Sequence, residues 1–137
     1  MPKLSCVLLV DDDPTNNFLN QRLLKRLDVA QQVLIAENGQ QALDLLNATG
    51  PVPNPPFPAL ILLDVQMPVM NGFEFLRVYQ QLPADRRRAT TVVMLTTSND
   101  ASDLAQMKGL LATTHINKPL TEAKLEHVLA LHNQQRP

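Results

Sequence analysis

Cys6-Val-Leu-Leu-Val-Asp-Asp-Asp-Pro14 runs five apolar residues straight into a row of carboxylates and a proline. A continuous apolar run of this length suits a strand buried on both faces, as in a parallel sheet. Asp13-Pro14 reads as a helix N-cap followed by its first residue, where the missing proline N–H costs nothing. The strand therefore hands over directly to a helix. Phe18, Leu19, Leu23, Leu24 and Leu27 follow at helical spacing and predict its apolar face.

The same unit recurs outward from this stretch. Residues 33–36 read as a second strand, and Asn38-Gly39 opens a helix carrying Ala42, Leu43, Leu45 and Leu46. Residues 49–58 hold Pro51, Pro53, Pro55, Pro56 and Pro58. Proline fixes φ and removes a donor, so this is a surface connection, an elaboration within one domain. Residues 59–63 form a third strand. Asn71-Gly-Phe-Glu74 has the capping-box pattern and opens a helix through Val78. A fourth strand covers 91–95, a short helix 101–108, a fifth strand 113–117 and a closing helix 120–132. Five strands, each followed by a helix, predict an α/β fold. It is a doubly wound five-stranded parallel sheet with helices on both faces and right-handed crossovers. The common five-stranded order, 2-1-3-4-5, sets strands 1 and 3 side by side.

The chain has 137 residues, which suits a single domain over 1–137, and 45% hydrophobic residues, enough for a core. A net charge of −1 argues against nucleic acid as a partner, since phosphate backbones are held by excess Lys and Arg. Arg86-Arg87-Arg88 reads as a solvated loop face. Cys6 is the only cysteine, so no intramolecular disulfide forms, and its apolar setting predicts a buried small hydrophobe. No segment resembles a signal peptide or approaches the ~20 apolar residues of a membrane helix. A cytoplasmic protein with no membrane partner is expected.

In such sheets ligands bind beyond the carboxyl ends of the strands. Strand 1 ends in Asp11, Asp12 and Asp13, strand 3 in Asp64, strand 4 in Thr96 and strand 5 in Lys118-Pro119. Asp13 is explained as a cap; Asp11, Asp12 and Asp64 would converge on one site. Carboxylates that close repel one another, and a hard divalent cation such as Mg²⁺ relieves the repulsion through oxygen ligands. A carboxylate also serves as a nucleophile that forms an aspartyl-phosphate. Phosphoryl transfer needs positioning and charge neutralisation above all. The Lys118 ammonium would hold one phosphate oxygen and the Thr96 hydroxyl another. Each of these residues alone has a bland reading; jointly they do not.

Leu8-Leu-Val-Asp-Asp-Asp-Pro14, Leu62-Leu-Asp-Val-Gln-Met-Pro-Val-Met-Asn-Gly72, Met94-Leu-Thr-Thr97 and Asn117-Lys-Pro119 resemble the receiver domains of two-component response regulators, over residues 4–132. The resemblance implies a flavodoxin-like three-layer sandwich, stand-alone and chemotaxis-regulator-like. Asp64 would be the phosphoacceptor. Asp12 and Asp64 would bind Mg²⁺ directly, Asp11 through water, and Gln66 through its backbone carbonyl. Thr96 would be the switch hydroxyl and Lys118 the phosphate-binding lysine, with a cis Lys118-Pro119 bond. The implied phosphodonor is a sensor histidine kinase or histidine phosphotransfer protein.

Some positions depart from the family's pattern. His115 stands where an aromatic residue usually follows the switch hydroxyl, either as an ordinary half-buried histidine or in signalling. Thr97 is bulkier than the usual small residue. Gln66 and Ser98 line the water route to the acyl phosphate and offer no strong base. The chain ends five residues after His132, so output is expected through protein contact with a downstream partner; a homodimer is left open. A middle carrier in a phosphorelay is the alternative role. Asp11-Asp12-Asp13-Pro14-Thr15 also fits the nucleophile signature of haloacid-dehalogenase-type phosphatases. That reading lacks a later strand-end acidic pair and leaves Asp64 unexplained. A binding module that takes no phosphate is opposed by the complete Asp12, Asp64, Thr96 and Lys118 set. No G-x-G-x-x-G follows strand 1, which sets a Rossmann site aside.

Overall fold

The computed structural model describes residues 3–48, 57–65, 67–88, 90–96 and 114–135. Gln66, Thr97, Ser98, the expected helix over 101–108 and most of the proline-rich stretch lie outside them.

Five strands, β1 (Val7–Val10), β2 (Val33–Ala36), β3 (Leu60–Asp64), β4 (Thr91–Thr96) and β5 (Thr114–Asn117), form one sheet in the order β2-β1-β3-β4-β5. All four pairings are parallel. This is the doubly wound sheet and the strand order expected. The central strands β1, β3 and β4 are buried along their whole length, which is why they read as unbroken apolar runs.

Alternation along these strands splits the core in two. Leu8, Val10, Ile61, Leu63, Val92 and Met94 face α2 (Gly39–Ala48) and α3 (Gly72–Tyr79), meeting Leu43, Leu46, Phe75, Leu76 and Tyr79. Val7, Leu9, Leu60, Leu62, Val93 and Leu95 face α1 (Pro14–Arg26) and α5 (Glu122–Gln135), meeting Leu24, Leu125 and Val128. The result is a helix–sheet–helix sandwich. Cys6 is buried just before β1, and burial pushes its thiol up to about 11, as suits a packing residue.

Local signals hold where a hydrogen bond enforces them. Asp13 caps α1 by accepting the Thr15 N–H at 2.8 Å. The α3 capping box is complete: Asn71 accepts from the Glu74 N–H, and the Glu74 carboxylate accepts from the Asn71 N–H.

Three expectations need correction. Phe18 and Leu19 are more than half exposed, while Asn17 takes the inner face of α1 seven residues before Leu24. Arg86 and Arg87 belong to a single helical turn, α4 (Ala84–Arg87), and not to a loop; the Arg87 Nε donates to the Leu82 carbonyl at 2.9 Å. The closing helix starts at Glu122, after Thr121, and extends past His132, which is buried with its Nδ1 2.7 Å from the Thr91 hydroxyl.

Candidate functional site

The register of the sheet builds the site. Val10 pairs with Leu63, so the next step along both strands sets Asp11 beside Asp64. Both leave the sheet on the face that Leu9 and Leu62 share, because side chains alternate with period two. Asp11 and Asp64 are 3% and 7% exposed, whereas Asp12 is open to solvent. Carboxylate oxygens of Asp11, Asp12 and Asp64 lie within 4.8 Å of one another.

Lys118 arrives from the other side. Thr96 pairs with Asn117, and the Lys118 N–H donates to the Thr96 carbonyl at 2.8 Å, extending the ladder by one residue. The Lys118-Pro119 bond is cis, as expected. The Lys118 ammonium sits 3.0 Å from Asp11 Oδ2 and 3.0 Å from Asp64 Oδ1, bridging the two buried carboxylates.

Burial is the largest influence on Asp64 and raises its pKa. The Lys118 hydrogen bond opposes this, the Asp11 charge adds to it, and the net direction is up. For Lys118, burial alone would lower the pKa. The hydrogen bonds and charges of Asp11 and Asp64 outweigh burial and hold the ammonium protonated above its ordinary value.

Asp11 is dressed more fully than the sequence suggested. Its Oδ1 accepts the Asp13 N–H at 2.9 Å, and its Oδ2 lies 3.4 Å from Asn16 Nδ2. Its backbone carbonyl accepts from Asn17 Nδ2 at 2.8 Å. Asn16 and Asn17 thus tie α1 to the site. The available signal was a pair of amides one helical turn after the aspartates, where an amphipathic helix would carry an apolar residue.

The segment after Asp64 is tightly wound. The Met70 N–H donates to the Pro68 carbonyl at 2.7 Å around Val69, whose φ is 70°. This three-residue turn is of the strained positive-φ kind, rare for a β-branched residue. The Gly72 N–H donates to the Val65 carbonyl at 2.9 Å, and the Gly39 N–H to the Met70 carbonyl at 3.0 Å.

The remaining positions divide clearly. Asp64 pairs with Leu95, so Thr96 lies one step beyond it, buried at the end of β4. His115 is on β5 and is exposed, which corrects the half-buried reading. Hard carboxylate oxygens, with one edge open to solvent at Asp12, suit Mg²⁺, which keeps several waters and takes few protein ligands.

A parallel α/β sandwich thus gathers three strand-end carboxylates and a bridging lysine beyond the carboxyl ends of its strands, where such sheets bind ligands. Residues 7–130 match the response regulator receiver domain, and the chain belongs to that family. It is 34% identical over 118 residues to the response regulator Rcp1 of Synechocystis, covering 86% of this chain and 76% of Rcp1. It is 32% identical over 123 residues to the signal transduction histidine-protein kinase BarA of Escherichia coli, covering 90% of this chain but 12% of BarA. Among solved structures it resembles a two-component response regulator of Cytophaga hutchinsonii with a TM-score of 0.85 and 26% identity, covering 97% of this chain and 99% of the other. Among the described residues, no helix is long and apolar enough to cross a membrane.

Proposed function

We propose that the chain accepts a phosphoryl group on Asp64 from a histidine kinase or histidine phosphotransfer protein. The transfer depends on Mg²⁺, and its outcome is read by a protein partner. The observation that carries this reading is the Lys118 ammonium, 3.0 Å from both Asp11 and Asp64, two members of a cluster of three carboxylates. One Asp64 oxygen attacks phosphorus, an O–P bond forms, and the donor's N–P bond breaks. The departing imidazole keeps the electron pair. Lys118 moves from neutralising carboxylates to neutralising phosphoryl oxygen. Asp11, Asp12 and Asp64, with the Gln66 carbonyl, would hold Mg²⁺, which supplies charge neutralisation at the transferring group. Thr96 would donate its hydroxyl to a phosphoryl oxygen. Thr97 and the exposed His115 would carry the change toward the output surface.

Incubation with acetyl phosphate followed by intact mass measurement tests the reading. A Mg²⁺-dependent phosphoryl adduct absent from Asp64→Asn is expected. Undiminished labelling of that variant would overturn the assignment of Asp64. A role as middle carrier in a phosphorelay is favoured by the match to a segment of the kinase BarA. Transfer of label from Asp64 onward to a histidine phosphotransfer protein would distinguish it.

A further inference from the structure

Lys118 must be held in place by more than its carboxylate partners, because those partners are to bind a cation and a phosphoryl group. Its N–H is fixed by the Thr96 carbonyl at 2.8 Å. The two carbonyls that flank it, Asn117 O and Pro119 O, both accept from one ammonium, Lys124 Nζ, at 2.8 and 3.1 Å. We propose that Lys124 is a positioning residue for Lys118, and the inference rests on the phosphoacceptor reading above.

The placement of Lys124 runs against the local rules of helix design. The Thr121 hydroxyl accepts the Lys124 N–H at 3.2 Å, so Lys124 occupies the third position of α5. The capping box of α3 puts Glu74 at that position, where its carboxylate reaches back to the cap. A lysine cannot accept that bond, and its charge faces the positive end of the helix dipole, which costs about 0.3–1 kcal/mol. Lys124 instead reaches further back, to the segment carrying Lys118. Both carbonyls are exposed, so water would replace the ammonium at little cost to folding. What the ammonium adds is a fixed path for the chain on both sides of Lys118, and thus a fixed origin for its side chain. A lysine that wanders would pair less well with Asp11 and Asp64 and compete less well against an incoming metal ion.

The test is a double-mutant cycle of Lys124→Met and Lys118→Met, with Lys124→Arg as the conservative variant. Mg²⁺ affinity is read by calorimetry, and the maximal labelling rate with acetyl phosphate by intact mass. Lys124→Met should bind Mg²⁺ about 2–5-fold more tightly and label several-fold more slowly at saturating Mg²⁺, while Lys124→Arg stays near wild type. On the Lys118→Met background, Lys124→Met should leave Mg²⁺ affinity unchanged. Wild-type values for Lys124→Met, or the same shift with and without Lys118, would overturn the proposal, as would a change confined to the melting temperature. Absence of labelling in the wild type, with the Mg²⁺ cycle behaving as described, would remove the phosphoacceptor reading and uphold the positioning role.

Discussion

Gly72→Ala offers the sharpest test of how the backbone builds the site. A Cβ at Gly72 would lie 2.5 Å from the Asp64 carbonyl oxygen and 3.1 Å from the Val65 Cα, both backbone atoms. The first contact is at least 0.5 Å shorter than real Cβ atoms tolerate, so the chain must move where Asp64 leaves β3. The Gly72 N–H bond to Val65 leaves little freedom for the helix to retreat instead. Overpacking of this kind costs about 1–3 kcal/mol. For a chain of this size that lowers the melting temperature by about 3–15 °C. A 1 Å misplacement at a reacting centre costs about a hundredfold, so half that shift should slow Asp64 labelling about tenfold. Gly39→Ala is the control. Its Cβ would meet Met70 Cγ at 2.7 Å, the movable side chain of a half-buried residue. It should label within about threefold of wild type, since a methionine side chain has rotamers to spare. Thermal melts and labelling time courses on the two variants decide. Wild-type melting and labelling in Gly72→Ala, or an equal loss in Gly39→Ala, would refute the reasoning.

Other expectations concern charge. The Asp64 pKa is raised by burial, so its carboxyl adds stability below the unfolded pKa and loses it as pH rises through the folded value. In EDTA, Asp64→Asn should therefore melt above wild type at pH 7.5, with the gap closing toward pH 3.5. Each unit of pKa difference is worth about 1.4 kcal/mol, and a lower melting point for the variant at neutral pH would contradict this. Lys118→Met leaves Asp11 and Asp64 without their shared cation. In EDTA it should lose up to about 3 kcal/mol in denaturant titrations, and calorimetry should find tighter Mg²⁺ binding, since no resident ammonium competes. Mg²⁺ at a hundred times its dissociation constant should stabilise the wild type by about 2.7 kcal/mol, because the unfolded chain has no such site. An unchanged melting midpoint would count against the acidic pocket.

The central sheet was legible because β1, β3 and β4 are buried on both faces, and that condition writes itself as unbroken apolar runs. The strand-end residues were legible because parallel register and alternation carry them to one place, as Val10 opposite Leu63 carries Asp11 to Asp64. Helix faces were less so. Hydrophobic spacing favoured Phe18 and Leu19, but the inner position went to Asn17, whose amide satisfies the Asp11 carbonyl. A buried carbonyl needing a donor is invisible to a periodicity argument. The α4 turn is four residues long, too short for any period to show. Lys124 could not be read at all. Its partners are carbonyls of a segment whose path is set by β5, and carbonyls carry no side-chain signature.

The charges of the site explain why its parts belong together. Asp11, Asp12 and Asp64 bring three negative charges and Lys118 one positive, which leaves two unbalanced. A divalent cation would restore balance, and its binding would then favour folding. Transfer of a phosphoryl group to Asp64 would replace one carboxylate charge with an acyl phosphate carrying about −1.5 to −2, a net gain of about one negative charge at most. The balance would be broken again, at a point one register step from Thr96 and paired with Lys118 at the end of β5. β4 is held against the new charge by a ladder on each side and by its two buried faces. On the proposed function, a change of charge at this end of the sheet would act first at the carboxyl ends of β3, β4 and β5, and a protein partner that reads it would contact that end.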